Sequence, residues 1–176
     1  MPTVLDATAG LGGDAFVLAC LGCDVTMMER SPIAYALLRD GLIRAQEFAA
    51  LSKDQDLLEI IGRMTLLQED SLGVLDRAGL ALHDVSCPDV IYLDPMFPVR
   101  KKTAEVKKEM KAFHDLIGGD SDSNGLLDKA IELAEYRVVV KRPKIAPYLA
   151  DKEPNYQLSG KSSRFDIYTK RSFLKA

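Results

Sequence analysis

Short apolar runs alternate along the chain with longer segments of helical periodicity. The apolar runs predict five strands, which begin at Val4 and cover residues 24–28, 64–68, 90–93 and 137–141. The intervening segments predict helices at residues 14–21, 32–50, 103–114 and 126–135, together with a short helix before residue 64. Because strands that alternate with helices are typical of a parallel sheet covered by helices, the pattern predicts an α/β fold.

Two further strand-like runs lie near residues 156–158 and 165–168, and residues 160–163 between them begin with a glycine. This arrangement predicts a β-hairpin, which we place at one edge of the sheet. With the hairpin, the expected architecture is a Rossmann-like, seven-stranded and mostly parallel sheet. We expect residues 1–176 to form a single domain, since the length is typical of one domain.

The composition is that of an ordinary globular protein, with 47% hydrophobic and 28% charged residues. No apolar run approaches the roughly 18 to 20 residues that a membrane span requires, and no signal peptide is visible at the N-terminus. The three cysteines cannot all pair with one another, and a chain of this length does not need disulfides. We therefore expect a cytoplasmic protein without a membrane partner.

The net charge of −3 hides a strong asymmetry. Residues 1–98 carry 6 Lys and Arg against 15 Asp and Glu, a net charge of −9, whereas residues 99–176 carry 17 against 11, a net charge of +6. A chain polarised in this way can bind a polyanion on one face despite its overall sign.

The first strand leads into a glycine-rich turn, and a helix begins directly after it. Gly10, Gly12 and Gly13 lie in this turn, where glycine lets a bound nucleotide approach the backbone closely. Glu29 ends the next strand, at the spacing of about 20 residues typical of a carboxylate that binds ribose hydroxyls. Sites for NAD and for S-adenosylmethionine share these features, so this pattern alone leaves both cofactors open.

Further polar residues favour S-adenosylmethionine. Asp6 lies four residues before Gly10, where its carboxylate can contact the amino group of the methionine moiety but would repel a pyrophosphate. Asp70 and Ser71 follow the third strand and are placed for hydrogen bonds around the adenosine. The sequence therefore predicts an S-adenosylmethionine site at this edge of the sheet.

The run Asp94-Pro95-Met96-Phe97-Pro98 follows the fourth strand and has the form of the Asp-Pro-Pro-aromatic motif of amino-group methyltransferases, with Met at the third position. An exocyclic amine on a base is a poor nucleophile, because its lone pair is delocalised into the ring. Asp94 and the Pro95 carbonyl can accept its two N–H groups and localise the lone pair, while Phe97 stacks on the base. We expect these three residues to be catalytic and expect no metal to be required.

Several segments together resemble the bacterial ribosomal RNA small subunit methyltransferase J family. They are residues 6–16, Met28-Glu29-Arg30-Ser31-Pro32, residues 92–98, Val106-Lys107-Lys108-Glu109-Met110, residues 137–143 and Arg164-Phe165-Asp166-Ile167-Tyr168. The resemblance implies a class I methyltransferase fold and S-adenosylmethionine-dependent methylation of a guanine N2 amine in 16S ribosomal RNA of the small subunit. It also implies cofactor contacts at Gly13, Asp14, Glu29, Arg30, Asp70, Ser71 and Asp94. Members of that family carry a substantial N-terminal region before the first strand, so we expect this sequence to be a fragment or a shortened product.

Basic residues after the fourth and fifth strands are expected to contact RNA phosphates. Residues 100–111 hold six basic side chains against two glutamates, a net charge of +4, and directly follow the Asp94 motif. The expected RNA contacts are Arg100, Lys101, Lys102, Lys107, Lys108, Lys111, Lys141 and Arg142.

Alternative functions belong to other classes. A NAD-dependent oxidoreductase would bind nicotinamide and have no use for the Asp94 motif, and a truncated domain could bind cofactor without activity. Cys20 and Cys23 have the spacing of a metal or redox pair, but the sequence offers no second pair and no nearby histidine. We therefore expect no metal site.

Overall fold

The computed structural model of the protein describes residues 1–95 and 123–172. Its strands are β1 (Thr3–Asp6), β2 (Asp24–Met28), β3 (Met64–Leu67), β4 (Val90–Leu93), β5 (Arg137–Pro143), β6 (Tyr156–Ser159) and β7 (Ser163–Thr169). Its helices are α1 (Gly13–Cys20), α2 (Pro32–Ser52), α3 (Gln55–Gly62), α4 (Ser71–Val74), α5 (Arg77–Ala81) and α6 (Ser123–Leu133), and a 3-10 turn covers Leu149–Asp151.

The strands form one seven-stranded sheet in the order β3-β2-β1-β4-β5-β7-β6. The pairs among β1 to β5 are parallel, whereas β7 runs antiparallel to β5 and to β6. The predicted α/β fold, with a mostly parallel sheet and a hairpin at its edge, is confirmed. The short elements α4, α5 and the 3-10 turn were not predicted, because three to five residues are too few to show a period. The helix expected at residues 103–114 lies outside the described residues.

Each face of the sheet has its own apolar core, because successive side chains of a strand point to opposite faces. On one face, Leu5, Ile91 and Val138 pack with the α6 residues Leu127 and Ala130. The other face is covered by α1 and α2, where Val4, Val25, Met27 and Tyr92 pack with Ala15, Ala19 and Leu38. The sheet is thus a middle layer between helices, as expected for a parallel sheet.

The strand order reverses direction at β1, which lies between β2 and β4. The chain therefore winds outward on both sides of β1, and the helices that follow β1 and β4 leave from opposite sides of the sheet. In open α/β sheets, ligands bind in the crevice at the carboxyl ends of the strands on either side of such a switch point. This crevice collects Asp6 at the end of β1, Glu29 after β2 and Asp94 after β4.

Candidate cofactor and methyl-transfer site

The turn between β1 and α1 is held in a backbone conformation that requires glycine at two positions. Gly10 and Gly12 have φ angles of 55° and 73°, in the left-handed region that glycine adopts without strain. At Gly12 a side chain is also excluded by packing, because an added Cβ would lie 2.6 Å from Leu38 Cδ1. The sequence-predicted turn is therefore rigid and brings α1 close to α2.

Gly13 differs from its neighbours, since neither its backbone nor its packing requires glycine. It is the first residue of α1, its φ angle is not positive, and an added Cβ would meet no atom within 4 Å. A glycine that the protein itself does not need is suited to a position that a ligand approaches closely.

Glu29 joins the turn to the end of β2. Its side chain is buried, and its two carboxylate oxygens accept hydrogen bonds from the backbone N–H groups of Gly10 (2.8 Å) and Ser31 (2.7 Å). Glu29 thus attaches the turn to the segment that follows β2.

Asp6 is the most deeply buried carboxyl group of the crevice, at 2% exposure. Burial raises its pKa to about 7, and the nearby charges of Asp14 and Asp94 add to this effect, while the Thr8 N–H bond to Asp6 Oδ1 opposes it. Such a group readily accepts a cation as partner, because a positive charge at this position would compensate for the lost hydration.

Thr8 connects the ends of β1 and β4, and the sequence analysis did not identify it. The backbone N–H of Asp94 donates to Thr8 Oγ1 at 2.6 Å, and Thr8 Oγ1 lies 3.5 Å from Asp6 Oδ1. Thr8 therefore fixes the backbone of Asp94 against the β1 strand end. Asp6 and Asp94 are separated by 88 positions in the sequence, and no local pattern could have marked this bridge.

A charged cluster lies on the α1 side of the crevice, and its members are Asp14, Tyr92, Asp94 and Lys141. The Lys141 ammonium is 2.6 Å from Asp14 Oδ2 and 3.0 Å from Asp94 Oδ2. The Tyr92 hydroxyl donates to the same oxygen of Asp14 at 2.6 Å. One lysine thus bridges the first turn of α1 and the segment that follows β4.

The ionisation of this cluster depends on Lys141. Burial raises the pKa of the Asp94 carboxyl, and Lys141 opposes this effect without cancelling it. Burial by itself also raises the pKa of Asp14, but hydrogen bonds from Lys141 and Tyr92 outweigh it, so that pKa is lowered overall. Burial lowers the pKa of Lys141, but its bonds to Asp14 and Asp94 raise that pKa above its usual value. The lysine therefore stays charged between the two carboxylates.

The residues that follow β3 make contacts within the protein. Asp70 is exposed and caps α4 by accepting the Leu72 N–H at 3.1 Å. Ser71 is buried, and its hydroxyl donates to the Ala7 carbonyl at 2.7 Å. Ser71 thus joins α4 to the segment that follows β1. Arg30 directly follows Glu29 after β2 and is half-buried.

Some of the remaining predicted site residues lie outside the described part of the chain, and the structure describes the others. Phe97, Arg100, Lys101, Lys102, Lys107, Lys108 and Lys111 lie outside the described residues, whereas Pro95 is described and buried. The phosphate contact expected at Arg142 does not agree with the structure, because its side chain is 4% exposed and donates to the Pro147 carbonyl from Nε and Nη2. Lys141 faces the crevice, where its ammonium contacts the carboxylates of Asp14 and Asp94.

Among residues 1–95 and 123–172, no group of three or more His, Cys, Asp or Glu side chains is arranged to hold a metal ion. In the same part of the chain, none of the helices has the length and apolar character needed to cross a membrane. Cys20, Cys23 and Cys87 carry free thiols.

Comparison with known proteins identifies the fold and the family. The model of a family described as "Putative SAM-dependent methyltransferase" matches residues 1–170 of this chain. The chain belongs to this family. The methyl donor named in its description is S-adenosylmethionine, so the predicted cofactor is confirmed at the level of the family, and the NAD-dependent oxidoreductase alternative has no support.

The relatives of the chain agree with the family resemblance seen in the sequence. It is 58% identical over 170 residues to the ribosomal RNA small subunit methyltransferase J of Cellvibrio japonicus, covering 97% of this chain and 62% of the relative. It is 60% identical over 168 residues to the enzyme of the same name from Saccharophagus degradans, covering 96% of this chain and 62% of the relative. The chain therefore spans about three fifths of the length of these curated relatives.

A solved structure has the same fold. The SAM-dependent methyltransferase of Neisseria gonorrhoeae is 40% identical, with a TM-score of 0.73, and the match covers 96% of this chain and 61% of that one. The expected class I methyltransferase fold is thus confirmed for the matched part of the chain.

The crevice fits S-adenosylmethionine by its own chemistry. Gly13 leaves space at the start of α1, where the helix has no side-chain cap and its first N–H groups suit a carboxylate. Asp6 offers a buried carboxyl group for an ammonium, and the carboxylate of Glu29 is of the type that binds hydroxyl groups. Together these residues match the carboxylate, the ammonium and the ribose hydroxyl groups of S-adenosylmethionine.

Proposed function

We propose that the chain is the catalytic domain of a methyltransferase that modifies the exocyclic N2 amine of a guanine in 16S ribosomal RNA of the small subunit. The observation that carries this proposal is the position of Asp94. Its backbone is fixed by Thr8 and its carboxylate by Lys141, directly beside the glycine turn at which we place the cofactor. The names of the relatives supply the substrate class.

The residues of the chain act on the amine by hydrogen bonding and position. Asp94 and the Pro95 carbonyl accept its N–H groups and direct the lone pair toward the crevice, while Phe97, as the sequence indicates, stacks on the base. The target guanine must leave its stack to reach Asp94, at a cost of about a few kcal/mol unless it is already unpaired. S-adenosylmethionine supplies an activated methyl group when bound. Positioning and electrostatics therefore account for most of the catalysis.

We assign the cofactor contacts to Asp6, Gly10, Gly12, Gly13, Asp14, Glu29, Arg30, Asp70, Ser71 and Asp94. In this assignment the start of α1 binds the carboxylate of the methionine moiety and Asp6 its amino group. Glu29 accepts hydrogen bonds from the ribose hydroxyls, and the segment with Asp70 and Ser71 lies beside the adenosine. The contacts of Glu29 and Ser71 within the protein support this assignment, because they fix the walls of the crevice before the cofactor binds.

Replacing Glu29 with alanine is expected to weaken S-adenosylmethionine binding by about 1–3 kcal/mol, the cost of unmade hydrogen bonds to a charged group. The variant loses the acceptor for the ribose and also frees the Gly10 N–H, so the turn loses its attachment to β2. Calorimetric titration with S-adenosylmethionine measures the effect.

Two variants sharpen this prediction. Glu29→Gln keeps the shape but turns an amide N–H₂ toward the Gly10 or Ser31 N–H, so it should also lose affinity. Glu47→Ala removes an exposed carboxylate from α2 and should bind as the parent does. Parental affinity in Glu29→Ala, or tight binding of NAD in place of S-adenosylmethionine, would contradict the assigned role.

The function is tested by methyl transfer from labelled S-adenosylmethionine to small ribosomal subunits from a strain that lacks this gene. Label recovered at a guanine N2 position of 16S ribosomal RNA supports the proposal. Cofactor binding without transfer to naked RNA or to subunits would instead identify a silent, cofactor-binding domain. Hydride transfer with NAD would restore the oxidoreductase alternative.

We also propose that residues 1–176 form one methyltransferase domain, and that the basic segment 100–111 contacts phosphates beside the target base. The charge of this segment and its place directly after the Asp94 motif support the second proposal. A substrate in the small ribosomal subunit would place the protein in the cytoplasm.

A further inference from the structure

Lys141 makes contacts that its sequence context did not predict. It lies on β5, and its ammonium is within hydrogen-bond distance of Asp14 from α1 and Asp94 from the end of β4. The side chains of Lys141, Asp14 and Asp94 are 28%, 41% and 39% exposed, so the three groups lie at the wall of the crevice and are only partly hydrated. A lysine that merely bound phosphate would be expected to extend into solvent.

We propose that Lys141 is a positioning residue, which holds the Asp94 carboxylate ionised and oriented toward the incoming amine. This inference rests on the proposed function, because it assigns Asp94 as the acceptor of the amine. Lys141 contacts Oδ2 of Asp94 at 3.0 Å, and Thr8 fixes the backbone N–H of the same residue at 2.6 Å. With one oxygen and the backbone held, Oδ1 is the oxygen that we assign to the amine.

The groups around Asp94 explain why a fixed cation is needed there. Asp6 faces it from β1, Asp14 from α1 and Lys141 from β5, and the charge of Arg142 acts on it from the other face of β5. The Tyr92 hydroxyl at the end of β4 donates to Asp14. Burial is the largest cause that raises the pKa of Asp94 and favours its protonated form, and the charge of Asp14 adds to it. A protonated carboxyl group presents an O–H donor to the amine where an acceptor is required.

Of the two cations whose charges act on Asp94, Lys141 makes the direct contact. The guanidinium of Arg142 is occupied by the Pro147 carbonyl and its influence on the pKa of Asp94 is smaller than that of Lys141. Because Asp14 and Asp94 both bind the Lys141 ammonium, little of its charge is left to attract phosphates. The contacts of Lys141 with Asp14 and Asp94 thus favour a role in orienting Asp94 over a role in binding RNA phosphates.

The first experiment compares the pH dependence of methyl transfer to small subunits. Lys141→Met removes the charge at similar length, so kcat should fall and the acid limb of the pH–rate profile should move to higher pH. As the pH falls, the variant should lose a larger fraction of its rate than the parent does, as expected when an opposite charge near a carboxylate is removed. Lys141→Arg should restore the profile in large part, because it keeps the charge.

Control variants separate this role from a general loss of positive charge. Lys161 is an exposed lysine in the turn between β6 and β7, and Lys161→Met should leave the acid limb where it is in the parent. A rise in KM for the subunit with an unmoved acid limb in Lys141→Met would identify a phosphate contact and overturn the proposal. If Lys141→Met is too unstable to assay, Lys141→Gln replaces it, since glutamine keeps a donor without the charge.

The second experiment does not depend on activity. The carboxyl carbon of Asp94 is observed by nuclear magnetic resonance in protein labelled at aspartate, and its resonance is assigned by its loss in Asp94→Asn. The proposal expects this resonance to titrate at higher pH in Lys141→Met than in the parent. Titration at an unchanged pH would overturn it. An upward shift in a protein that transfers no methyl group would reject the proposed function alone and leave the control of Asp94 by Lys141 intact.

Discussion

Replacing Asp94 with alanine is expected to reduce methyl transfer by about 10²–10³-fold, the loss typical of removing one preorganised hydrogen-bonding group from an active site. Lys141 holds the carboxylate at Oδ2, and Thr8 holds the backbone of Asp94 by accepting its N–H. A group fixed in this way orients an amine without reorganising during the reaction. Its removal should therefore lower kcat far more than it raises KM for the RNA.

The matched variants distinguish charge from shape. Asp94→Asn keeps one acceptor oxygen but places an amide beside the Lys141 ammonium, so its activity should lie between those of the parent and Asp94→Ala. Asp40→Ala removes a carboxylate from the exposed ion pair with Arg44 on α2, where the side chain is 61% exposed, and should retain parental activity.

Binding measurements complete this test. Affinity for small subunits should be largely unchanged in Asp94→Ala, whereas some loss of affinity for S-adenosylmethionine is compatible with the assigned contact. Turnover near that of the parent would refute the role of Asp94 in aiming the amine.

Local patterns were sufficient to predict the strands that form the centre of the sheet. Strands β2 and β4 begin and end where the apolar runs begin and end, because both are flanked by residues that stop a strand, such as Gly22 and Pro88. The glycine turn was predictable as well, because Gly10 and Gly12 adopt positive φ angles, which glycine favours over other residues. Chain order and sheet topology then bring Asp6, Glu29 and Asp94 to the same edge.

Contacts between distant segments could not be predicted. The hydrogen bonds from Asp94 to Thr8, from Tyr92 to Asp14 and from Lys141 to Asp14 join residues separated by 86, 78 and 127 positions. Each depends on which strands become neighbours and on which face a side chain occupies, and neither follows from the residues around it.

The RNA contacts expected at Lys141 and Arg142 show how strand geometry limits a charge pattern. Two adjacent residues of a strand point to opposite faces of the sheet. The sequence analysis treated them as one basic patch, but burial alternates along β5 and separates them. Lys141 faces the carboxylates of the crevice, whereas Arg142 is buried and holds the Pro147 carbonyl.

Arg164 and Asp166 form a buried ion pair on β7, and their side chains are 8% and 0% exposed. The pair is bidentate, with Nε 2.8 Å from Oδ1 and Nη2 3.1 Å from Oδ2 of Asp166. The Nη1 group of Arg164 donates to the carbonyls of Ala146 and Lys144 at 2.7 and 2.9 Å, and the guanidinium lies 5.3 Å from the centre of the Tyr148 ring. Arg164 thus attaches the loop after β5 to the hairpin.

Replacing Arg164 with methionine is expected to lower the free energy of unfolding by about 3–5 kcal/mol, because removing one partner of a buried pair leaves an uncompensated charge. Asp166 would keep the hydrogen bond from the Gln157 side chain but lose those from Arg164. The Ala146 and Lys144 carbonyls would lose the hydrogen bonds that they accept from Arg164. Urea denaturation followed by circular dichroism measures the change, and hydrogen exchange should rise at residues 144–151.

Arg44→Met, which breaks an exposed pair with side chains 69% and 61% exposed, should lower the free energy of unfolding by less than about 1 kcal/mol. The double variant Arg164→Met with Asp166→Leu should recover much of the loss, since no unpaired charge remains in the core. An Arg164→Met protein as stable as Arg44→Met would mean that the pair does not anchor this loop.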